Sequence, residues 1–420
     1  MRRILIAAAL LALSTDALAD PPELASWLIN TTGETGFNGI QSDVRLVQYS
    51  ADNVYVSSAS IPAYDIGPWP GNPNTASDQN YTFRITRTPQ VNPGTKTATP
   101  LGPIAVLING VVAFNALDGR SYNNQNVWHQ DAVVTEGSSF DDCEGHPNAP
   151  GAYHHHLNPR CLYTPDSTRH SPLIGYAFDG FPIYGEFGYV NANGSGGVQR
   201  MRSSYRLRAI TTRTTLPNGT VLSPAQYGPA VSSTYPLGYY VEDWEYVAGL
   251  GDLDAYNHRF TVTPEYPGGI DAYFVTLDAP GNALYPYVLG PSYYGILIDG
   301  NTGPTGGHVA PTEPVVTYVP TTGVDHPLAG HGAVLSGLGA SPNPSLGRTR
   351  LSWTLGAAAR VRVSLYDVRG AEVLRPLDDI DSAPGQYTYV LDAGRVPPGA
   401  YFVEIRTEHA RAAKRIVLIR

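Results

Sequence analysis

Two segments share one pattern, AVLINGVVAF at residues 105–114 and GYAFDGFPIY at residues 175–184, and GILIDG at residues 295–300 repeats its first half. Each segment places Asn-Gly or Asp-Gly directly after an apolar run. These dipeptides favour a type I′ hairpin turn, because both central residues of that turn have positive φ. The pattern therefore predicts hairpin turns at Asn109, Asp179 and Asp299, and it assigns Asp179 to the fold rather than to catalysis.

The composition also favours β structure. The chain of 420 residues contains 44 glycines, 36 prolines and 28 tyrosines, and only 15% of its residues are charged. Turn-forming and aromatic residues at this abundance favour strands over helices, and short alternating runs such as Tyr81 to Ile85 suit strands. We predict a mainly β protein whose residues 20–300 form one β-rich domain, with one short helix near Tyr239 to Leu250.

The first 19 residues have the organisation of a secretory signal peptide. Arg2 and Arg3 precede an apolar run from Ile4 to Leu13, and the segment ends in the small-x-small pattern Ala17-Leu18-Ala19. The apolar run is too short to span a bilayer, and no later segment is long and uncharged enough to do so. The sequence therefore predicts an exported protein without a transmembrane segment.

The C-terminal part has its own pattern. Residues 301–340 are rich in Gly, Pro and Thr, which is typical of a linker. Residues 341–420 contain at least five short alternating runs, such as Val361 to Tyr366 and Tyr401 to Ile405. Strands at this spacing in about 80 residues predict a separate Ig-like β-sandwich.

Charge is distributed unevenly along the chain. Residues 20–344 carry 13 Lys or Arg against 27 Asp or Glu, whereas residues 345–420 carry 12 against 8. An acidic main domain argues against a nucleic-acid partner, because such proteins present basic surfaces to phosphates. The acidic charge is compatible with cation binding. The alternative is that it only keeps the exported protein soluble.

Chemistry is concentrated between Trp128 and Gly185, which hold six of the eleven histidines and both cysteines. Two cysteines in an exported chain most simply form one disulfide. A bond between Cys143 and Cys161 would close a loop that contains His146 and the triple histidine. The expected stabilisation is about 3 kcal/mol.

The triple histidine, His154-His155-His156, predicts a metal site. Alternate side chains of a strand share a face, so His154 and His156 would point the same way while His155 and Tyr153 point the other way. His129 and His146 are further candidate ligands, and Asp131, Asp142 or Glu136 are candidate oxygen donors. Imidazole ligands in an oxidising compartment suit copper or zinc. The predicted ligand set is His129, Asp142, His146, His154 and His156, and the alternative is that these histidines only hydrogen-bond turns and one another.

These residues resemble the YHYH-domain family of exported bacterial and eukaryotic proteins, over about residues 100–300. The resemblance rests on an ordered series of motifs: Asn109-Gly110, Trp128-His129-x-Asp131-Ala132, Asp142-Cys143-x-Gly145-His146-Pro147, Tyr153-His154-His155-His156, Cys161-Leu162 and the run from His170 to Gly185. The second tyrosine of the family signature is His155 here, on the side of the strand away from the paired histidines. The resemblance identifies the domain and implies no particular activity.

The tail from about residue 341 to residue 420 resembles the type A C-terminal sorting domain of type IX secretion. The resemblance rests on Pro342-Asn343-Pro344, Tyr366-Asp367-Val368-Arg369-Gly370 and Gly399-Ala400-Tyr401-Phe402-Val403. It implies a Gram-negative host, the type IX machinery as a partner, export across the outer membrane to the cell surface or medium, and removal of the tail.

Three functions are compatible with the sequence. The first is an exported protein that binds copper or zinc through the histidine cluster. The second is an extracellular metal-dependent hydrolase or oxidoreductase, for which an open coordination position would be required. The third is an adhesive or structural module without metal, which we expect if His129 and His146 lie far from His154.

Overall fold

The structure is a computed structural model that describes residues 20–303, 306–320, 336–355, 359–367, 371–383, 385–407 and 411–419. The predicted signal peptide and residues 321–335 of the predicted linker lie outside these ranges. The described residues are 37% strand and 7% helix, which confirms the mainly β prediction.

Most of the strands before residue 320 are short. They are β1 Val44–Tyr49, β2 Asn53–Ser58, β3 Tyr81–Thr86, β4 Pro103–Leu107, β5 Val112–Phe114, β6 Leu117–Ser121, β7 His129–Asp131, β8 His146–Pro147, β9 Tyr153–His155, β10 Leu173–Ala177, β11 Pro182–Tyr184, β12 Phe187–Tyr189, β13 Val198–Arg200, β14 Tyr205–Leu207, β15 Trp244–Tyr246, β16 His258–Thr261, β17 Ile270–Phe274 and β18 Val316–Thr317. The two α-helices are α1 Pro22–Ala25 and α2 Ala132–Glu136, and single 3-10 turns occur at Phe37–Gly39, Tyr122–Asn124, Gly137–Ser139, Pro224–Gln226 and Val241–Asp243.

An eight-stranded sheet forms the centre of the first domain, with the order β16-β17-β11-β10-β4-β5-β9-β8. Its two middle strands, β4 and β10, are buried at every position. Continuous apolar runs form such strands because both faces of the sheet are covered. The repeated segments therefore supply the central hairpins, β4 with β5 and β10 with β11.

The hairpins at Asn109 and Asp179 are confirmed, but the predicted type I′ turn is wrong. Gly110 and Gly180 have φ of 76° and 89°, whereas Asn109 and Asp179 have no positive φ. In the first hairpin the Gly110 N–H donates to Leu107 O at 2.8 Å, which is a type I turn closed by a glycine bulge. Gly110 also permits close approach, since a Cβ there would lie 2.4 Å from the Ser58 Cβ.

The third predicted hairpin does not form. Gly300 has φ of 91° and Asp299-Gly300 makes a turn, but no pair of the described strands flanks it. The Asn301 side chain beside this turn instead bonds the backbone of Arg84 in β3, accepting from its N–H at 2.9 Å and donating to its carbonyl at 2.6 Å. The segment packs across β3, and it folds back only as a loop in which the Gly307 N–H donates to Gly300 O at 3.0 Å, not as a pair of strands.

A second sheet has the order β18-β1-β2-β3 and shares the same hydrophobic core. Strand β18 lies within the predicted linker and pairs with β1, with Gln48 opposite Thr317. Glu313 nearby accepts hydrogen bonds from Ser50, Asn53 and Tyr55. Polar side chains thus hold residues 306–320 on this sheet, which the Gly/Pro/Thr composition did not indicate.

A tyrosine-rich lobe between β14 and β15 is built around one buried ion pair. Arg213 and Asp243 are both 0% exposed, and Arg213 Nε and Nη2 each donate to the Asp243 carboxylate at 2.7 Å. Arg213 also donates to the carbonyls of Pro229 and Pro236. The helix predicted near Tyr239 to Leu250 is absent: a single 3-10 turn ends at Asp243, and the next three residues form β15, which pairs with β14. The Asp243 carboxylate accepts from the Tyr240 N–H at the start of that turn as well as from Arg213.

The C-terminal domain is a two-sheet β-sandwich, as predicted. Its strands are β19 Ser336–Ser341, β20 Arg348–Leu355, β21 Ala359–Asp367, β22 Glu372–Ser382, β23 Gly385–Asp392, β24 Gly399–Arg406 and β25 Arg411–Leu418. The sheets have the orders β19-β20-β23 and β22-β21-β24-β25. Alternate residues of β20 and β24 are buried, so one face of each sheet lines a shared core that includes Leu351, Val363 and Ile405.

Candidate metal centre

Strand pairing at the edge of the central sheet brings the histidines together. Strand β9 pairs in parallel with β5, which sets His154 opposite Val112, and it pairs antiparallel with β8, which sets His154 opposite His146. His156 follows His154 by two residues and points to the same side. Histidines eight and two residues from His154 along the chain therefore become its direct neighbours.

The short helix α2 adds a carboxylate. Asp131 caps its start by accepting from the Val133 N–H at 3.0 Å, and the other carboxylate oxygen accepts from Tyr287 Oη at 2.7 Å. Burial raises the pKa of Asp131 to about 7. The helix ends at Glu136, whose Oε2 lies 3.0 Å from His146 Nε2 and 3.5 Å from His156 Nε2. Asp131 therefore positions the helix, while Glu136 reaches the histidines.

Four side chains converge on one point. His154 Nε2 lies 3.1 Å from His146 Nε2 and 3.1 Å from His156 Nε2. One donor atom from each of Glu136, His146, His154 and His156 lies within 4.8 Å of the other three. For metal–ligand bonds of about 2.0 Å, neighbouring ligand atoms are separated by roughly 2.8–3.3 Å. The spacing thus suits a single transition-metal ion.

The opposite nitrogen of each ring is held by a fixed partner. His154 Nδ1 donates to Ala152 O at 3.0 Å, His156 Nδ1 donates to Asn115 O at 2.6 Å, and His146 Nδ1 lies 2.8 Å from Ser139 Oγ. Such outer contacts orient imidazoles in metal sites. A carbonyl oxygen can only accept, so the protons of neutral His154 and His156 lie on Nδ1. Their Nε2 atoms then carry lone pairs that face each other.

Burial strengthens this electrostatic conflict. Burial and the neighbouring rings of His156 and His146 lower the pKa of His154 well below its usual value. Burial raises the pKa of Glu136, but the neighbouring imidazoles of His146 and His156 outweigh burial and hold that pKa below the usual range. Lone pairs and a carboxylate charge therefore converge in a poorly solvated site, where a cation is the partner that satisfies them all.

The predicted division of the triple histidine is confirmed. His155 points away from the cluster, with Nδ1 2.9 Å from Glu144 O and Nε2 3.3 Å from Tyr64 Oη. Tyr153 shares that side and donates to Asp141. The histidine at the second-tyrosine position of the family signature is thus part of the protein interior behind the cluster.

The loop that carries His146 is fixed by a disulfide and by Asp141. Cys143 and Cys161 are bonded, as predicted. The Asp141 carboxylate accepts five hydrogen bonds, from Gly67 N, Trp69 Nε1, Cys143 N, Gly145 N and Tyr153 Oη. These bonds join residues 67–69, the His146 loop and β9. The residue predicted as an oxygen donor was the neighbouring Asp142, which is exposed, whereas Asp141 is buried.

His129 and Asp142 of the predicted ligand set do not join the cluster. His129 Nδ1 bonds Glu242 Oε1 at 2.5 Å and its Nε2 bonds Asn126 Oδ1 at 3.0 Å, in a surface cleft also lined by Leu216 and Val221. The bond with Glu242 raises the pKa of His129, although burial lowers it. Strand β7 directs His129 toward the tyrosine-rich lobe, and Asp142 is exposed.

Two further histidines serve the fold. His170 packs against the ring of Tyr184 and donates from Nδ1 to Ser171 O at 2.7 Å. His258 lies between Asp254 and Asp271, at 3.0 Å from a carboxylate oxygen of each. Burial lowers the pKa of His258, but the bonds to the two aspartates outweigh burial and raise it.

The β-rich domain with its histidine centre and the C-terminal sandwich define a modular protein. Residues 82–285 match the family model of the YHYH protein, and residues 341–419 match that of the secretion system C-terminal sorting domain. The chain therefore carries a YHYH domain followed by a C-terminal sorting domain. No significant match was found among curated proteins.

The sorting domain indicates how the protein is handled in the cell. It indicates export through the type IX secretion system, to the cell surface or the medium. None of the helices in the described ranges is long and apolar enough to cross a membrane.

Proposed function

We propose that the YHYH domain binds a transition-metal ion, copper or zinc, through Glu136, His146, His154 and His156. The observation that carries this proposal is the approach of two Nε2 atoms, those of His154 and His156, to 3.1 Å while both Nδ1 atoms donate to backbone carbonyls. Two lone pairs at this distance repel unless a proton or a metal ion lies between them. Since His146 and Glu136 converge on the same point, a metal ion accounts for all four groups.

The donor chemistry agrees with these metals. Imidazole nitrogens and a carboxylate are borderline to hard ligands, which suit copper(II) and zinc(II). Both cysteines are consumed by the disulfide and offer no thiolate. The three histidine side chains are 6% exposed or less, whereas Glu136 is 28% exposed. The buried imidazoles hold the ion, and Glu136 forms the edge of the site that faces solvent.

The test is metal analysis and titration of the full exported chain. We expect one ion per protein, and we expect the double variant His154→Ala/His156→Ala to lose it. His129→Ala is the matched control, because His129 belongs to the same histidine-rich segment but lies outside the cluster. Unchanged affinity in the double variant, or loss of the ion in the control, would rule out this ligand set.

A metal-dependent extracellular enzyme is the second candidate. The observation in its favour is the partial exposure of Glu136, because an exogenous molecule that reaches the ion must approach from that side. Such an enzyme needs a coordination position for water or substrate. Titration of the metal-loaded protein with azide tests this: a change in the metal spectrum shows an accessible position, and an unchanged spectrum favours metal binding alone.

A further inference from the structure

The four donor atoms of the candidate metal centre are arranged as a ring. Glu136 Oε2 contacts His146 at 3.0 Å and His156 at 3.5 Å, and His154 contacts the same two histidines at 3.1 Å each. Within the described residues, Glu136 forms ion pairs with those two histidines and not with His154. Glu136 and His154 are therefore opposite corners of a four-membered ring.

This arrangement differs from a regular tetrahedron. Four ligands at about 2.0 Å from a zinc ion have six equal separations of roughly 3.3 Å, so every ligand contacts the other three. Flattening toward a square shortens the four sides and lengthens the two diagonals to roughly 4 Å. The ring of four contacts matches the flattened arrangement on both diagonals. Glu136 and His154 form no ion pair within the described residues, and the ring centroids of His146 and His156 are 5.7 Å apart, against 4.6 Å and 4.8 Å for the two neighbouring histidine pairs.

The protein backbone holds the rings in this arrangement. His154 and His156 are tied through Nδ1 to carbonyls of Ala152 and Asn115. The ring of Phe114 stacks on His154 with the centroids 3.9 Å apart. Reorientation of His154 or His156 would break a buried hydrogen bond or this ring contact. The fold therefore restrains these two ligands before any metal ion binds.

We propose that the site is built for copper(II) in a tetragonal environment, with Glu136 and His154 trans to each other and His146 and His156 completing the plane. This inference rests on the proposed metal-binding function. Tetragonal N/O sites are typical of copper(II) or nickel(II), and copper(II) binds more tightly than nickel(II) in the same ligands. Copper(I) prefers soft sulfur ligands, which this set lacks, so the cluster favours the oxidised ion.

Affinity alone cannot test the proposal, because copper(II) exceeds zinc(II) at almost any such site. The test is the geometry that the protein imposes on two probe ions, copper(II) and cobalt(II), each loaded into the full chain. We expect an axial copper(II) electron paramagnetic resonance spectrum with nitrogen couplings, and weak visible absorption from cobalt(II). His156→Ala should lose one nitrogen coupling, and His129→Ala should leave both spectra unchanged.

Three results are distinguishable. Axial copper with weak cobalt absorption supports the flattened site. Intense cobalt absorption of the tetrahedral kind, with a distorted copper spectrum, overturns the copper geometry and leaves the metal-binding function intact. Stoichiometric binding of neither ion overturns both proposals.

Discussion

Asp141 is expected to hold the histidine loop in place, and Asp141→Asn tests this directly. One carboxylate oxygen accepts three hydrogen bonds, and the other accepts two, from Gly67 N at 2.8 Å and Trp69 Nε1 at 3.0 Å. Asparagine has almost the same shape but only one acceptor oxygen. The NH2 group of the asparagine must therefore face the hydrogen-bond donors on one of the two sides.

The least disruptive orientation of the asparagine keeps its oxygen on the side with three donors. Gly67 N and Trp69 Nε1 then lose their acceptor and face an NH2 group. A hydrogen bond to a charged group contributes about 1.5–3 kcal/mol. Loss of two such bonds lowers the local stability by about 3–6 kcal/mol, and residues 67–69 should detach from the His146 loop.

Hydrogen exchange of residues 64–72 and 143–147 measures the free energy of opening in this region. The matched control is Asp142→Asn, the same chemical change at the exposed neighbouring position, with an expected effect within about 0.5 kcal/mol. Equal effects of the two substitutions, or a loss below about 1 kcal/mol at Asp141, would refute the reasoning.

Three further outcomes are expected. His258, whose pKa is raised by its two flanking aspartates, stabilises the fold below pH 6.5 and loses this contribution as pH rises through its folded pKa. The free energy of unfolding of His258→Gln, measured with urea at stepped pH, should therefore depend less on pH than that of the wild type. Identical pH profiles would contradict this. Asp243→Asn should lower the free energy of unfolding by about 3–5 kcal/mol, because Arg213 stays buried without its charged partner. The double variant Arg213→Met/Asp243→Leu should recover most of that loss, because it buries no charge. Equal losses for the two variants in urea unfolding would count against a charge effect. Replacing Cys143 and Cys161 with alanine should lower the free energy of unfolding by about 3 kcal/mol and weaken metal binding. Calorimetry that shows neither change would exclude a role for the disulfide.

Local chemistry made the elements predictable. Asn109-Gly110 and Asp179-Gly180 correctly indicated hairpins, although only the glycine of each pair has the positive φ that the predicted type I′ turn requires of both residues. The disulfide followed from two cysteines in an exported chain, and the opposite directions of His154 and His155 followed from the alternation of a strand. The C-terminal sandwich followed from regularly spaced strands with alternating burial.

The ligand set required the tertiary structure. The sequence offered His129, Asp131, Glu136 and Asp142 from one segment as candidate ligands, and the predicted set included His129 and Asp142 but not Glu136. Strand pairing directs His129 toward Glu242, the cap of α2 occupies Asp131, and the same helix carries Glu136 to His146. The number of residues between two positions does not show which way their side chains point in the fold.

The sequence by itself determined a mainly β exported protein, its two domains' strand character and the shared face of His154 and His156, because turns and strand alternation depend on neighbouring residues alone. Only the tertiary structure decided that Glu136 rather than Asp142 lies beside the histidines, that Asp141 rather than Asp142 is the buried carboxylate, and that residues 306–320 pack on the second sheet. These outcomes depend on which distant segments pack together. That arrangement follows from the burial of apolar side chains and the pairing of strands over the whole chain.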